Sequence, residues 1–348
     1  MFRAKHRGRG NYDNNQISCR LGQVRSRGAG FKTPRKTTGR LSMSLYLVTG
    51  GAGFIGHQLA RDLLEEGHSL RVVDDLSNAR AAPQFKCDFI RASLAGPDAD
   101  FKAWLENVDG CFHLAATASV ERSETEWRAA HDANLVGGLA LLRAAAGTGR
   151  DIPVVYASSA AVYGEPASDE PLGEDAPTCP RGAYGADKLA LELHARAIGA
   201  RAGQRSAAAR IFNAFGEGQD PSSPYSGVIA IFLGDLAARR DLTVFGDGGQ
   251  SRDFVHVRDV SCFLRAMLAA TTAASPAWNV CSGRATTIAG LARRMTELAD
   301  AGSGVCFGAA RTGEARSVIG CPEGAARDLG LRARTSLDEG LSELVHGL

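Results

Sequence analysis

Lysine is scarce in this 348-residue sequence, and so are several features that would mark particular protein classes. Six lysines stand against 34 arginines, and Lys188 is the only lysine beyond residue 102. Eight cysteines are scattered without a C-x-x-C pair, which argues against zinc ligands and a disulfide framework and favours reduced thiols. No eighteen-residue apolar run is present, so no segment is long enough to span a bilayer. We therefore expect a cytoplasmic globular protein that needs neither a metal nor a membrane.

Charge is distributed unevenly along the chain. Residues 1–42 hold eleven Lys and Arg and one acid, which gives +10, whereas residues 43–348 carry −8. The first segment has no apolar periodicity, so we expect it to be disordered. Three interpretations compete: an organellar transit peptide, a nucleic-acid-binding arm, or untranslated upstream sequence with the start at Met43. Under each, the chemistry lies in the acidic remainder, which offers no basic patch for nucleic acid.

The acidic remainder opens with a strand, a glycine-rich turn and a helix. Residues 45–48 are a short apolar run typical of a buried strand, and Gly50, Gly53 and Gly56 follow it. A helical pattern then leads to a second strand that ends at Asp74. Glycines at these positions let the backbone approach a pyrophosphate, whose charge the helix N-terminus also attracts. The spacing therefore predicts a dinucleotide-binding site.

Asp74 indicates which dinucleotide binds. A carboxylate at the end of the second strand accepts hydrogen bonds from the adenosine ribose hydroxyls and repels a 2′-phosphate. No arginine immediately follows it, and the next residue is Asp75. We therefore expect NAD rather than NADP.

Strands and helices continue to alternate as far as residue 215, a pattern that predicts an α/β fold with a doubly wound parallel sheet. Ligands bind such sheets at the carboxyl ends of the strands. Asp74, Ala115, Ser159 and Asn213 each fall at one of those ends. We therefore expect one crevice that gathers residues from four strands.

Tyr184 and Lys188 share one face of a predicted helix, because they lie four residues apart. An ammonium near a phenol favours the phenolate and draws the tyrosine pKa from about 10 toward the working pH. A phenolate of this kind is a general base for an alcohol proton while a hydride leaves the same carbon. The scarcity of lysine strengthens the interpretation, since a compact ammonium stands here in a chain that otherwise uses arginine.

These motifs occur in the order typical of one enzyme family. The matching positions are residues 49–56, Asp74, residues 113–116, Asn134, Ser158, Ser159, residues 162–164, residues 184–188 and residues 252–257. From about Ser44 to the C-terminus, the sequence resembles an extended short-chain dehydrogenase/reductase, an NAD-dependent nucleotide-sugar epimerase closest to the UDP-glucose 4-epimerase group. The resemblance implies a Rossmann domain, a smaller substrate domain and an NAD that stays bound through turnover.

The resemblance also implies a role for each matching residue. Tyr184 would be the acid/base, Lys188 its electrostatic partner and a ribose ligand, and Ser159 a partner of the sugar O4 that shares in proton transfer. Asn134 would support the active-site helix and Lys188. The residues that would hold NAD are Gly50, Gly53, Phe54, Ile55, Gly56, Asp74, Asn78, Asp88, Phe89, Ala115, Ala116, Asn134, Tyr184, Lys188 and Phe212. Those that would face the nucleotide-sugar are Ser159, Asn213, Thr243, Phe245, Arg252, Arg311, Glu314 and Val318.

The two residues after Ser159 separate the epimerases from their relatives. Nucleotide-sugar 4,6-dehydratases have Asp-Glu there and UDP-glucuronate decarboxylases have a Glu, whereas this sequence has Ala160 and Ala161. The remaining groups support alcohol oxidation and ketone reduction only, so we expect C4 epimerisation of UDP-glucose and UDP-galactose through a 4-keto sugar. Val318 stands where the family has a bulky tyrosine, so we also expect some UDP-N-acetylhexosamine to be accepted.

Residues 43–210 form the expected NAD-binding domain. Residues 211–348 form the expected smaller α/β nucleotide-sugar-binding domain, with some segments returning to the first domain. The family resemblance also implies a homodimer, in which residues 121–147 and 184–203 supply two long helices per subunit.

Two alternatives remain open. One is another NAD-dependent enzyme on the same fold, such as an ADP-heptose epimerase-like enzyme or a 4-ketoreductase, which nucleotide preference would distinguish. The other is a non-catalytic protein that senses cofactor state, against which the intact pair of Tyr184 and Lys188 argues.

Overall fold

The structure, a computed structural model, describes residues 43–79, 81–118, 120–220, 227–300, 302–311 and 315–348. These residues belong to one compact unit, Ser42–Leu348. Residues 1–42, on which the three interpretations of the basic segment depend, lie outside the described residues, and so does Glu314.

A seven-stranded parallel sheet forms the centre of the fold. Its strands in chain order are β1 (Leu45–Thr49), β2 (Ser69–Asp74), β3 (Asp88–Arg91), β4 (Gly110–His113), β5 (Val154–Ser159), β6 (Ser206–Ile211) and, after three strands of the second lobe, β10 (Ala277–Val280). Across the sheet their order is β10-β6-β5-β4-β1-β2-β3, with every neighbouring pair parallel. The chain winds outward in both directions from β1, which confirms the doubly wound α/β prediction and places a ligand crevice above β1 and β4.

Helices cover both faces of this sheet. One face carries α1 (Phe54–Glu65), α8 (Val257–Ala270) and α10 (Glu323–Leu329), and the other carries α2 (Phe101–Trp104), α5 (Gly137–Gly147) and α6 (Ala183–Ala202). Leu59 and Phe263 are buried on the first face, and Leu141 and Leu191 on the second. These apolar layers fix the position of the strand ends that form the crevice.

The segment expected to be one long helix, residues 121–147, is interrupted. It folds as α3 (Val120–Thr125), α4 (Trp127–His131), a π-helical turn (Asp132–Val136) and then α5. The π-turn turns Asn134 inward, where its side chain is fully buried. The other long helix agrees closely with its prediction, since α6 spans Ala183–Ala202 and ends at Gly203 in the left-handed conformation, with a φ of 71°.

A smaller lobe follows β6. Its elements are β7 (Asn213–Phe215), α7 (Val228–Ala237), β8 (Leu242–Phe245), β9 (Ser251–His256), β11 (Ala285–Thr287), α9 (Ile288–Ala299), β12 (Val305–Gly308), β13 (Ser317–Val318) and α11 (Leu337–His346). Strand β9 pairs with β7, β11 and β13, and β8 pairs with β12. Between β9 and β11 the chain returns to the large sheet as α8 and β10. Among the described helices, none combines the length and the apolar character that crossing a membrane requires.

Candidate active site

The glycine-rich turn brings β1 and α1 against the end of β4. Gly50 has a φ of +70°, and a Cβ atom there would lie 2.5 Å from the backbone nitrogen of Ala115. A Cβ atom on Gly56 would lie 2.1 Å from the carbonyl oxygen of Gly50. No side chain caps the start of α1, so the amides of its first turn, at Phe54 and Ile55, are available to an anion.

A groove of about 560 Å³, counting its open mouth, runs along the carboxyl ends of β1 to β4. It is lined by Gly50, Gly53, Asp74, Asp75, Ser77, Asn78, Ala79, Ala92, Ser93, Leu94, Leu114, Ala115, Ala116, Thr117 and Ala133. Most of these side chains are small, which leaves room for a flat ligand, and none of these residues is a lysine or an arginine.

Asp74 is the acidic wall of the groove. Its carboxylate accepts hydrogen bonds from the backbone amides of Ala52, at 3.0 Å, and Leu76, at 2.8 Å. Burial raises the pKa of this carboxyl group, while the two amide hydrogen bonds oppose the change. Each carboxylate oxygen keeps a lone pair for a hydroxyl donor. The glycine turn, the uncapped helix and this acid together fit NAD.

The prediction that Asp88 and Phe89 contact the cofactor needs correction. Asp88 begins β3, at the end of the strand away from the groove, and its carboxylate pairs with Arg71 Nε at 2.7 Å. The carboxyl end of β3 leads instead to Ala92, Ser93 and Leu94, which line the groove. The cause is register, because a parallel strand presents to ligands the residues that follow its last residue.

Tyr184, Lys188 and Ser159 come together beside the groove. Tyr184 and Lys188 lie in the first two turns of α6, with Lys188 Nζ 5.7 Å from the centroid of the Tyr184 ring. Ser159, the last residue of β5, lies beside the Tyr184 hydroxyl and accepts a hydrogen bond from the amide of Ala161 at 3.1 Å. The helix and the strand thus place a phenol, a hydroxyl and an ammonium at one point.

The pKa of Tyr184 is raised, whereas the sequence predicts that it is lowered. Burial raises the pKa of the phenol, and the neighbouring Ser159 hydroxyl opposes this without reversing it. The Lys188 side chain is itself buried, which lowers its pKa to about 8, against the attraction of Asp187. The sequence spacing suggests that the nearby ammonium dominates the pKa of Tyr184. In the isolated chain, desolvation of the phenol outweighs that effect.

Lys188 has few partners for a buried cation. The residue is 1% exposed, and no described residue forms an ion pair with it or accepts a hydrogen bond from it. A buried ammonium without an acceptor is costly unless a ligand or water supplies one. This unmet donor beside the groove is a second reason why the site fits a hydroxyl-rich cofactor.

The neighbouring side chains have structural roles. Asn134 accepts a hydrogen bond from the backbone amide of Thr117 at 2.8 Å and donates one to the Thr117 carbonyl oxygen at 3.2 Å. Its side chain therefore fixes the loop after β4, and these two bonds do not involve Lys188. His113 bonds to Thr49 Oγ1 at 2.8 Å, and burial, with the charge of Lys188, lowers its pKa to about 3. Phe212 is buried against Tyr163 in a core cluster.

The residues expected to face the nucleotide-sugar lie on the smaller lobe. Val318 of β13 is the direct neighbour of Arg252 in β9. Thr243 and Phe245 are exposed on β8, and the Arg311 guanidinium lies 4.1 Å from the centroid of the Phe245 ring. Asn213 is exposed at the start of β7. The structure therefore divides these residues between β7, β9 with β13, and β8.

Sequence reasoning missed a buried charged pair behind the site, Glu192 and Arg210. Glu192 is 0% exposed and Arg210 is 3% exposed. Glu192 lies one helical turn after Lys188, at the same spacing that relates Lys188 to Tyr184. That repeat of four residues was the available signal for an inward-facing acid.

Comparisons with known proteins agree with this geometry. The NAD dependent epimerase/dehydratase family matches residues 46–281. A UDP-glucose 4-epimerase of Mycolicibacterium smegmatis is 38% identical over 232 residues, which cover 63% of this chain and 72% of that protein. The crystal structure of the Thermotoga maritima UDP-glucose 4-epimerase with UDP-glucose superimposes with a TM-score of 0.82 at 29% identity, covering 87% of this chain and 97% of that one.

A third relative binds a different sugar. It is the UDP-N-acetylglucosamine 4-epimerase of Methanobrevibacter ruminantium in complex with UDP-N-acetylmuramic acid, with a TM-score of 0.80, 28% identity and coverage of 87% of this chain and 97% of that one. Since the family match spans more than half of the sequence and includes the glycine turn, Ser159, Tyr184 and Lys188, this chain belongs to the NAD-dependent epimerase/dehydratase family.

Proposed function

We propose that this protein epimerises C4 of a UDP-hexose, interconverting UDP-glucose and UDP-galactose through a 4-keto sugar with NAD as cofactor. The observation that carries the proposal is the set of groups beside the groove. The Ser159 hydroxyl lies beside Tyr184, Lys188 lies one turn further along α6, and the turn after Ser159 offers only Ala160 and Ala161. Such a set moves a proton to and from a hydroxyl, and it lacks the acids that elimination or decarboxylation needs.

Each of the three side chains has a distinct task. Tyr184 removes the proton of the C4 hydroxyl and later returns it to the 4-keto oxygen. Ser159 holds the sugar oxygen and the phenol in line, because its hydroxyl can bond to both. Lys188, when protonated, stabilises the phenolate as it forms.

The dinucleotide groove is the proposed cofactor site. The glycine turn, with the first-turn amides at Phe54 and Ile55, would hold the pyrophosphate, and Asp74 would hold the adenosine ribose. Asn78, Ala115 and Ala116 line the same groove. When bound there, NAD would supply the hydride acceptor for C4 of the sugar and the donor that returns the hydride.

The UDP-sugar site is proposed on the smaller lobe. Arg252 and Arg311 suit a diphosphate, because each guanidinium donates two parallel charge-assisted hydrogen bonds. The other residues proposed to face the substrate are Ser159, Asn213, Thr243, Phe245, Glu314 and Val318. The recurrence of UDP-sugar epimerases among the relatives supports this substrate class.

The proposed function is tested with UDP-galactose and purified protein to which no cofactor is added. We expect wild type to form UDP-glucose, and Tyr184→Phe to lower kcat on the order of 10²–10⁴-fold. Tyr46→Phe is the matched control, since Tyr46 lies in β1 and its ring packs against the rings of His68 and Phe112. Undiminished turnover by Tyr184→Phe would contradict the assignment. In a separate assay, net consumption of added NADH with a 4-keto nucleotide-sugar as substrate would instead identify a ketoreductase.

Val318 extends the proposal to acetamido sugars. A valine beside Arg252 is smaller than the tyrosine of the family pattern, so it leaves more room for a 2-acetamido group. We expect conversion of UDP-N-acetylglucosamine alongside UDP-glucose, and Val318→Tyr to abolish only the former. Complete rejection of the acetamido sugar by wild type would refute this extension.

The proposed assembly is a homodimer through the helices that precede and include the catalytic one. Trp127, Val136 and Leu193 are 59%, 41% and 56% exposed. They lie on α4, the π-turn and α6, which pack against one another. Exposed apolar side chains on neighbouring elements support an interface there, because burial in a partner would remove them from water.

A further inference from the structure

A buried ion pair lies directly behind the catalytic groups. Arg210 donates from Nη2 to Glu192 Oε2 at 2.8 Å and from Nε to Glu192 Oε1 at 3.0 Å. Arg196, which is largely solvent-exposed, adds a longer contact to Glu192 at 3.4 Å. Both members of the main pair are almost completely buried, Glu192 on α6 and Arg210 on β6.

The pair holds the Ser159 segment from both sides. Ser158, which precedes Ser159, donates its hydroxyl hydrogen to Glu192 Oε1 at 2.6 Å. Tyr163, which follows the turn after Ser159, accepts a hydrogen bond from Arg210 Nη1 at 2.9 Å and donates one to Asn279 at 2.7 Å. The short stretch that carries Ser159 is therefore anchored at each end.

The same pair is anchored to the catalytic helix. Glu192 lies one turn after Lys188 and two turns after Tyr184 on α6, so the three side chains follow one line along the helix. A carboxylate in this helix thus bonds to the strand that ends in Ser159. This links the two elements whose side chains, Tyr184 and Ser159, meet at the reacting oxygen.

Stability alone does not account for this arrangement. Removing two charges from water costs about as much as their attraction returns, and well-packed apolar residues are often as stabilising. Unlike an apolar pair, the ion pair forms directional hydrogen bonds to Ser158 and Tyr163. We propose that Glu192 and Arg210 are positioning residues that set where the Ser159 hydroxyl stands relative to Tyr184, an inference that rests on the proposed function for its kinetic consequence.

Two variants test the proposal, and they perturb the folded structure to different extents. Glu192→Leu combined with Arg210→Met replaces the pair by apolar groups and leaves no buried charge unpaired. Ser158→Ala removes a single hydroxyl and its bond to Glu192. Tyr156→Phe is the matched control, because it removes a buried bond, that of Tyr156 to Ser275 at 3.1 Å, from the same strand β5.

The kinetic outcome separates positioning from binding. We expect the double variant to lower kcat about 10- to 100-fold, the scale on which small misplacements act, with KM within about threefold of wild type. Ser158→Ala should lower kcat severalfold, and Tyr156→Phe should leave it unchanged. Equal kcat in the double variant and wild type would overturn the proposal.

A second measurement needs no substrate. 3-Fluorotyrosine placed at position 184 reports its own titration by ¹⁹F NMR in the cofactor-free protein. Because the neighbouring Ser159 hydroxyl lowers the pKa of Tyr184, we expect that pKa to rise in the double variant and to stay unchanged in Tyr156→Phe. An unchanged Tyr184 titration in the double variant would overturn the proposal. If the titration shifts in the double variant but the wild type has no epimerase activity, the result counts against the epimerase function alone.

Discussion

Lys188 is an ammonium that the protein keeps in an unfavourable place. Its side chain is buried, it has no described hydrogen-bond acceptor, and burial lowers its pKa from 10.5 to about 8. A pKa lower in the native than in the unfolded state means that folding is penalised while the group is protonated. The Lys188 ammonium thus reduces the stability of the free protein.

Replacing Lys188 by methionine should therefore stabilise the protein while abolishing turnover. At pH 7 the native and unfolded lysines are both charged, so the full penalty applies, on the order of 3 kcal/mol for the shift to about 8. As pH rises from 8 to 10.5, the native group loses its proton before the unfolded one and the penalty disappears. Urea unfolding should show a gain for Lys188→Met at pH 7 that shrinks by pH 9.5.

The exposed Lys102 provides the control for this prediction. Lys102→Met leaves no buried charge to remove, so its unfolding free energy should match that of wild type at both pH values. A Lys188→Met protein that is less stable than wild type at pH 7 would show that the ammonium has an internal partner after all.

Residue identities were easier to predict than residue environments. Tyr184, Lys188, Ser159 and Asp74 are recognisable from spacing, because spacing sets which side chains share a helix face or a strand end. The raised pKa of Tyr184 was not, since it depends on burial by residues distant in sequence. Only the four-residue spacing from Lys188 indicates the burial of Glu192, because an acid within a helix otherwise suggests a solvated surface.

At the scale of elements, the glycine turn determines how closely α1 approaches the sheet. A Cβ on Gly56 would lie 2.1 Å from the backbone oxygen of Gly50, and backbone cannot rotate away as a side chain can. Gly56→Ala should therefore distort the turn, lower the unfolding free energy by about 1–3 kcal/mol and reduce the NAD released on denaturation to a small fraction of the wild-type amount.

Gly147 offers a matched substitution without the clash. It ends α5, and a Cβ there would meet nothing within 4 Å. Gly147→Ala should leave the NAD content unchanged and the stability equal or slightly higher. If Gly56→Ala retained the full NAD content, the turn would not be the pyrophosphate site.

The ends of the helices and strands agree with the hydrophobic pattern of the sequence where that pattern is strong. The predicted strand at residues 45–48 agrees with β1, and the second predicted strand ends at Asp74, as β2 does. The predicted helix over 121–147 divides at a π-turn, in which Asn134 is buried and bonds to Thr117. Gly137 and Gly138 follow the π-turn, but no proline or glycine marks its start at Asp132. The register of β3 was missed for a similar reason, since nothing in residues 88–94 marks where the strand ends.

At the scale of the whole molecule, the chain does not separate cleanly at residue 210. After the smaller lobe begins, α8 and β10 return to the large sheet, where β10 pairs with β6. The division at residue 210 remains a prediction, and the order of strands shows why a linear boundary is only approximate. Sequence periodicity finds a strand but does not indicate which sheet it joins.

Assembly is a second property of the whole molecule, and Leu193 tests it. Leu193→Asp places a charge on the exposed apolar side chains of α6, so we expect the measured mass in solution to fall from two chains to one. Leu348→Asp is the control, because Leu348 is similarly exposed, at 61%, on the C-terminus. A wild type that is monomeric at micromolar concentration would contradict the proposed homodimer.

The most direct test of the central claim follows the hydrogen at C4. UDP-galactose carrying deuterium at C4 is converted by the purified protein in ordinary water, and the UDP-glucose formed is analysed by NMR. Because Tyr184 exchanges only the hydroxyl proton, the deuterium that leaves C4 should return to C4, and the product should keep nearly all of it. Loss of the deuterium to solvent during conversion would contradict hydride transfer out and back within one closed site, and with it the proposed epimerase chemistry.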